Sequence, residues 1–242
     1  MTSQTHEAIL AEFAPKGVLR VALNQGNPIL VGKSSDGAPS GITVALARAL
    51  GRHLGLDMRF VEYERAALVS ADAEKDKWDV CFLASDPKRA QTIDFTKPYL
   101  QIEGSYLAGP LATAHTADEL VSAGQPIGVV EGSAYTLTLQ RQPGSENLVI
   151  FKDFDALLKA LDDGNVAAIA GIHGVMQAEA DKRPGGRVLA PPFMKIRQAM
   201  GMPQGRPGAK AFLDDWLNVL VQNGTVGTIL EEHGVDRACL II

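Results

Sequence analysis

The chain has 242 residues, of which 46% are hydrophobic and 21% are charged, and its formal net charge at pH 7 is −5. This composition excludes a disordered chain, and the negative charge gives no basic footprint for nucleic acid. No segment approaches a membrane span of about 18 apolar residues, so we predict no membrane insertion. The length allows one large domain or two modest ones.

The first part of the chain alternates between strands and helices. Residues 18–24 predict a strand, and residues 41–55 predict a helix because their apolar side chains recur at three- and four-residue spacing. Residues 58–63 predict a second strand and residues 66–76 a second helix. The nearly continuous apolar run of residues 78–84 predicts a strand that is buried on both faces. This order is typical of an α/β fold.

The alternation continues in the rest of the chain. The further predicted elements are strand 126–130, helix 133–141, helix 154–161, strand 166–172, helix 209–221 and helix 225–233. Two stretches rich in glycine and proline, residues 104–113 and 184–193, predict connections between domains. We therefore predict a first lobe at residues 1–107 and 198–242, and a second lobe at residues 108–197 that is inserted into it.

The two cysteines, Cys81 and Cys239, are far apart and match no metal-binding or redox spacing. Because Cys81 lies in an apolar run, we predict that it is a buried free thiol. The sequence also lacks the motifs of phosphate, dinucleotide and serine-hydrolase sites. We therefore expect neither a cofactor nor a metal.

Ligands of parallel α/β sheets bind beyond the carboxyl ends of the strands, so the residues that follow each strand are candidates. The first strand is followed by Asn24 and Asn27, whose amides can line a binding site or form a turn. The run 78–84 is followed by Ser85 and Asp86, either of which can cap a helix that has Pro87 as its first residue.

Arg89 then lies near the start of that predicted helix. A guanidinium group pairs bidentately with a carboxylate, so Arg89 is a candidate for binding an acidic ligand. Alternatively, Asp86 or Asp94 occupies the guanidinium within the protein.

Two further strand ends carry candidates. Ser133 can cap the helix 133–141, and Gly132 before it lets the backbone come close to a ligand, although an ordinary strand-to-helix junction looks the same. His173 follows the strand 166–172. Its imidazole can bind a ligand, titrate or form a structural hydrogen bond in a loop.

Several segments are similar to the bacterial extracellular solute-binding proteins of family 3, which serve polar amino acid uptake transporters. The most specific is Arg89–Tyr99, which contains Asp-Phe-Thr-x-Pro-Tyr after an upstream arginine. The other similar segments are Val18–Ala22, Gly41–Ala47, Trp78–Val80, Gly128–Tyr135 and Gln222–Leu230. The chain also resembles a signal-less subgroup of the family, whose members lack a signal peptide. The segments that carry this resemblance are Gly26–Leu30, Asp86–Ala90, Glu103–Leu107 and Gln198–Gly201.

The resemblance implies the two-lobe periplasmic-binding-protein type II fold, in which each lobe is a mostly parallel sheet flanked by helices and two hinge connections cross between the lobes. It implies that a small-molecule ligand with a carboxylate binds in the cleft between the lobes. It also implies that Arg89 binds the carboxylate, and that the Ser133 hydroxyl and the Ala134 backbone contact the ligand. The full predicted ligand-binding set is Asn24, Asn27, Tyr63, Ala84, Ser85, Asp86, Arg89, Ser133, Ala134, Tyr135 and His173.

The sequence departs from the family pattern in ways that concern the ligand. Where many members have Gly-x-Thr before the arginine, this chain has Phe82–Ala84, which lacks the hydroxyl, and Ser85 or Asp86 is the alternative source of a polar group there. The stretch Gly171–Gly174 lacks the aspartate that holds the ammonium group of an amino acid, and Asn24 or Asn27 stands at another aspartate position. These losses favour a less cationic ligand, such as a plain carboxylate or an aromatic acid.

The resemblance further implies an ABC transporter permease as a partner, and we expect a monomer or a weak dimer. Residues 1–14 hold no Lys or Arg and are interrupted by Glu7 and Glu12, which argues against a secretory signal and predicts a cytoplasmic location. The alternative is a periplasmic protein whose leader has been removed. Two alternative functions are a cyclohexadienyl-dehydratase-like enzyme, with His173 or Glu131 as general acid, and a ligand-dependent cytosolic sensor.

Overall fold

The computed structural model describes residues 3–110 and 112–241. Residues 1, 2, 111 and 242, which fall within the predicted lobes, lie outside the described residues. The helices are α1 Ser3–Phe13, α2 Ile42–Leu54, α3 Ala66–Ala71, α4 Ala117–Ser122, α5 Ala134–Leu139, α6 Phe154–Asp162, α7 His173–Ala180, α8 Pro207–Gln222 and α9 Thr225–Glu232. The strands are β1 Leu19–Asn24, β2 Gly32–Lys33, β3 Pro39–Ser40, β4 Met58–Tyr63, β5 Val80–Ala84, β6 Ile93–Phe95, β7 Leu100–Ala108, β8 Ile127–Val130, β9 Leu148–Phe151, β10 Ala168–Ile172 and β11 Arg187–Pro203.

The chain divides into two compact units. The first unit runs up to Gln101 and resumes at Arg197, and the second unit is Ile102–Ile196. Strands β7 and β11 each begin in one unit and end in the other. Among the described residues, no helix has both the length and the hydropathy that crossing a membrane requires.

The sheet of the first unit is mostly parallel. Strand β1 lies between β4 and β5 and is parallel to both, with Asn24 opposite Tyr63 and Ala22 opposite Cys81. Strand β5 pairs antiparallel with the last part of β11, where Gln198 lies opposite Ala84. Every residue of β5 is buried, as its continuous apolar run predicted.

Helices α2 and α3 pack against strand β1 of this sheet. Helix α2 ends at Gly55, whose left-handed φ of 64° turns the chain away, as the sequence predicted. The predicted helix 66–76 is too long, because α3 ends at Ala71 and residues 72–77 form turns that include Asp76 at a φ of 51°. Cys81 is a buried free thiol, as predicted, and burial raises the pKa of the thiol.

The sheet of the second unit is centred on β10. This strand is antiparallel to β7, with Gly171 opposite Ser105, and parallel to β8, which is in turn parallel to β9. Helices α6 and α7 pack on it through a buried cluster that includes Leu157, Ile169 and Met176. The amphipathic spacing of α6 predicted this packing.

The stretches 104–113 and 184–193, which the sequence predicted as connections between domains, are partly strands. Strand β7 covers residues 104–108 of the first stretch, and strand β11 covers residues 187–193 of the second. At Gly104 a side chain is excluded by packing, because an added Cβ would lie 2.8 Å from Cγ of Met194. Gly104 therefore allows close packing within the sheet.

Candidate functional site

The candidate residues of the first unit lie at one edge of its sheet. Because β1, β4 and β5 are parallel, their carboxyl ends, at Asn24, Tyr63 and Ala84, meet at the same edge. The backbone N–H of Gln25 donates to the carbonyl of Tyr63 at 2.9 Å, which ties the first two strand ends together. This is the edge at which α/β sheets bind ligands.

Asn24 and Asn27 use their amide oxygens within the turn that follows β1. Oδ1 of Asn24 accepts from the N–H of Gly26 at 3.1 Å, and Oδ1 of buried Asn27 accepts from the N–H of Ile29 at 3.2 Å. The turn interpretation of these residues is therefore confirmed. Their contact with a ligand stays a prediction.

Tyr63 is held within the first unit by its own hydroxyl. The Tyr63 O–H donates to Oδ2 of Asp72 at 3.1 Å. Burial, together with this bond to a carboxylate, raises the pKa of Tyr63 to about 12. The hydroxyl thus orders the turn after α3, and ligand contact by Tyr63 stays a prediction.

The helix predicted to start at Pro87 is wrong. Oδ1 of Asp86 accepts from the N–H of Lys88 at 2.8 Å, which closes a local turn, and a single 3-10 turn follows at Arg89–Gln91. An aspartate side chain that bonds two residues ahead favours a turn over a helix. Strand β6 begins at Ile93, so too little chain is left for a helix.

Arg89 is almost fully buried, with 3% of its surface exposed. Its Nη1 donates to the carbonyl of Ala84, the last residue of β5, at 2.9 Å. Burial lowers the pKa of Arg89 to about 10, and the charge of Asp86 opposes that shift. The structure thus fixes a buried cation at the strand edge, with Asp86 as a neighbouring anion.

Gln198 was not among the predicted site residues. It lies opposite Ala84 in the register of β5 and β11, and its side chain is buried. The sequence feature that could have identified Gln198 is its place in Gln198–Gly201, one of the segments that resemble the signal-less subgroup. A buried amide at this edge adds a neutral donor and acceptor close to the end of β5.

The candidate residues of the second unit lie at the corresponding edge of its own sheet. Strands β8 and β10 are parallel neighbours that end at Val130 and Ile172. Ser133 and His173, which follow these ends, are therefore at the same edge of the sheet. Within each unit, the candidate residues that follow the parallel strands therefore lie at the carboxyl-end edge of that unit's sheet.

Ser133 caps helix α5, as predicted. Its Oγ accepts from the N–H of Thr136 at 3.1 Å and lies 2.7 Å from Oγ1 of Thr136, which itself donates to the carbonyl of Val130. The Ser133 proton is therefore directed to Thr136, and the hydroxyl is engaged within the helix. Tyr135, the second residue of α5, is buried, and burial raises its pKa to about 12.

His173 is the first residue of α7, and its ring is half-buried. Its Nδ1 lies 2.9 Å from Oγ of Ser105, a fully buried residue of β7. The structural alternative for His173 is thus confirmed as far as this hydrogen bond goes. Sequence reasoning missed Ser105, because 68 positions separate it from His173 and only the sheet register brings them together.

Within the described ranges, no group of three or more His, Cys, Asp or Glu side chains is placed to hold a metal ion.

Residues 19–236 match the family model of the bacterial extracellular solute-binding proteins, family 3. The chain belongs to this family, so the predicted resemblance is confirmed. The L-cystine-binding protein TcyJ of Escherichia coli K12 is 26% identical over 179 residues, which are 67% of this chain and 62% of the relative. The chain thus matches less than two thirds of that relative's length.

Solved structures share the fold. A solute receptor for L-cysteine of Neisseria gonorrhoeae matches with a TM-score of 0.80 at 20% identity, covering 97% of this chain and 99% of that one. An ancestral amino acid-binding protein, described as a precursor of cyclohexadienyl dehydratase, matches with a TM-score of 0.75 at 19% identity, covering 92% and 98%. These similarities confirm the predicted periplasmic-binding-protein type II fold, with a mostly parallel sheet in each unit.

Proposed function

We propose that this chain binds a small carboxylate-bearing solute, an amino acid or a related organic acid. In this proposal the two units are the lobes predicted at residues 1–107 with 198–242 and at residues 108–197. Arg89 binds the carboxylate at the strand ends of the first unit. Ser133, Ala134 and His173 at the strand ends of the second unit contact the rest of the ligand.

The observation that carries the proposal is the buried guanidinium at the end of β5. A buried cation costs free energy unless anions compensate it, and Asp86 provides one such charge. A ligand carboxylate at Arg89 would pair with a planar guanidinium that is already removed from water in the folded protein, so binding requires little further desolvation of this cation. The named ligands of the relatives, L-cystine and L-cysteine, belong to the same chemical class.

We also propose that binding, rather than catalysis, is the activity. The relatives described above are named for binding or reception, which supports this assignment. The enzymatic alternative is tested by incubating the protein with prephenate and arogenate. We expect no turnover, and release of carbon dioxide or water from either compound would establish the alternative.

An ABC transporter permease is the proposed partner, because the family consists of extracellular solute-binding proteins. The cytoplasmic location, its periplasmic alternative, the sensor alternative and the monomer or weak dimer stay predictions. Co-purification of a membrane permease with the tagged chain would support the transport role. Ligand-dependent capture of a regulator would support the sensor instead.

Isothermal titration calorimetry tests the proposed function directly. The panel comprises L-cystine, L-cysteine, L-arginine, L-phenylalanine and the hydroxy and keto acids that match them. We expect at least one carboxylate to bind and its methyl ester or amide to lose binding. A correctly folded protein that binds none of the panel would contradict the proposal.

A further inference from the structure

The hydrogen bond between Ser105 and His173 determines which imidazole nitrogen of a neutral His173 carries the proton. Ser105 is fully buried on β7, and His173 Nδ1 is the hydrogen-bond partner of its hydroxyl among the described residues. If Nδ1 carried the proton and donated to Oγ, the hydroxyl hydrogen would be buried without an acceptor. That arrangement is costly, because an unmade buried hydrogen bond loses the solvation of the group.

The hydroxyl of Ser105 therefore donates to Nδ1, and Nδ1 is unprotonated. A neutral imidazole carries its proton on the other nitrogen. His173 thus presents an Nε2–H donor from the first turn of α7. In the cationic form both nitrogens are protonated, so Nε2 presents a donor in that state as well.

We propose that Ser105 is a positioning residue that makes His173 a hydrogen-bond donor to the ligand, and that the ligand group meeting His173 is an acceptor rather than an ammonium. The acceptor is an oxygen of a hydroxyl, carbonyl or second acid group. This inference rests on the proposed function, whose ligand carboxylate is assigned to Arg89. It narrows the ligand class from amino acids in general to acids with an oxygen at the position that meets His173.

The tautomer can be measured without any ligand. Long-range correlation of imidazole protons with the ring nitrogens distinguishes protonated from unprotonated nitrogen in protein labelled with ¹⁵N at histidine. His233 provides an internal reference, because its Nδ1 lies 2.8 Å from the carbonyl of Ile229 and must donate to it. We expect opposite tautomers for His173 and His233, with signals assigned by their loss in His173→Gln and His233→Gln.

The Ser105→Ala variant should release His173 to average between its tautomers, whereas Ser105→Thr should keep the hydroxyl and the native signal. If Ser105 had only a structural role, Ser105→Ala would change the free energy of unfolding without changing the nitrogen signals of His173. If His173 in the native protein is protonated on Nδ1, the assignment of the donor is wrong and the proposal fails.

The ligand class is tested with matched pairs that differ only at the α position: L-phenylalanine with L-3-phenyllactate, and L-glutamate with L-2-hydroxyglutarate. We expect the hydroxy acid of at least one pair to bind about tenfold or more tightly than its amino acid. His173→Asp should reverse that preference, because a carboxylate attracts ammonium. The matched control is His115→Asp, which makes the same change at an exposed position of the second unit.

The outcomes separate the two proposals. If a pair binds but His173→Asp and His115→Asp leave the preference equally unchanged, the acceptor proposal is overturned while the proposed function stands. If the native protein binds neither these pairs nor the wider panel, both are overturned. A neutral His173 that carries its proton on Nδ1 overturns the acceptor proposal whatever the binding data show.

Discussion

Arg20 donates from Nε and Nη2 to the two carboxylate oxygens of Asp79, at 2.7 and 2.8 Å. Both residues are buried, and they join the start of β1 to the residue that precedes β5. Nη1 of Arg206 adds a bond to Oδ1 of Asp79 at 3.0 Å. One buried carboxylate thus serves two cations at the sheet edge opposite to the candidate site.

We predict that Asp79→Ala destabilises the first unit by about 3–5 kcal/mol, because it removes the buried carboxylate that Arg20 and Arg206 share. The matched control is Glu231→Ala, which removes an exposed partner of Arg237 in the same unit and should cost less than about 0.5 kcal/mol. Urea unfolding followed by tryptophan fluorescence measures the first unit specifically, since Trp78 and Trp216 are the chain's two tryptophans. Equal costs for the two variants would contradict the prediction.

A pH dependence is expected from Asp76. Its carboxylate contacts Nζ of Lys16 at 2.6 Å and Nη2 of Arg20 at 2.6 Å, and these partners lower the pKa of Asp76 to about 2. A carboxyl whose folded pKa lies below its ordinary 3.8 stabilises the folded state above about pH 4. That contribution is lost as the pH falls toward about 2.

Asp76→Asn should therefore reduce the stability of the native protein at neutral pH and converge with it in acid. Urea midpoints measured between pH 7 and about pH 2 check this. Lys16→Gln removes the partner with the largest effect on the pKa and should make the pH dependence weaker. A stability difference that does not change with pH would show that Asp76 contributes nothing through its charge.

Gly41 precedes helix α2 at a φ of 107°, and an added Cβ would lie 2.6 Å from the carbonyl oxygen of Leu30. That oxygen accepts from the N–H of Thr43, so it is not free to move. Gly37 also has a left-handed φ, of 82°, but has nothing within 4 Å of the added carbon. Both substitutions introduce backbone strain, which should lower the free energy of unfolding by about 1–3 kcal/mol. We predict that Gly41→Ala lowers it by at least about 1 kcal/mol more than Gly37→Ala does, because of the added steric clash. Similar midpoints for the two variants would contradict the steric argument.

Arg89→Ala should weaken binding of a carboxylate ligand at least about thirtyfold, since a charge-assisted hydrogen bond contributes roughly 2 kcal/mol. Arg89→Lys keeps the charge but loses the planar pair of donors, so its effect should be intermediate. Calorimetry measures the affinity, with Arg59→Ala at an exposed position of the same unit as the control. Undiminished binding by folded Arg89→Ala protein would remove this residue from the site.

The elements that were predicted well from the sequence are those with a strong periodic or compositional signal. The buried run of β5, the apolar face of α2 and its end at Gly55 all follow from local patterns. The errors arose where local signals compete. Asp86 can cap a helix or close a turn, and only the nearby start of β6 decides between them.

The candidate site was predicted in part for the same reason. Strand ends point to Asn24, Arg89, Ser133 and His173 because each follows an apolar run. Ser105 carries no such signal, since it lies inside a strand and acquires its role from pairing with β10. Side-chain direction and pairing between distant segments depend on sheet register, which one sequence does not specify.

The division of the chain at Gln101 and Arg197 has a consequence for biosynthesis. The second unit is one uninterrupted segment, so its sheet can assemble as soon as residue 196 has left the ribosome. The first unit has its sheet completed by the last part of β11, which is synthesised afterwards. The unit whose synthesis begins first is therefore the unit that finishes folding last, and its exposed β5 edge needs protection from aggregation during that interval.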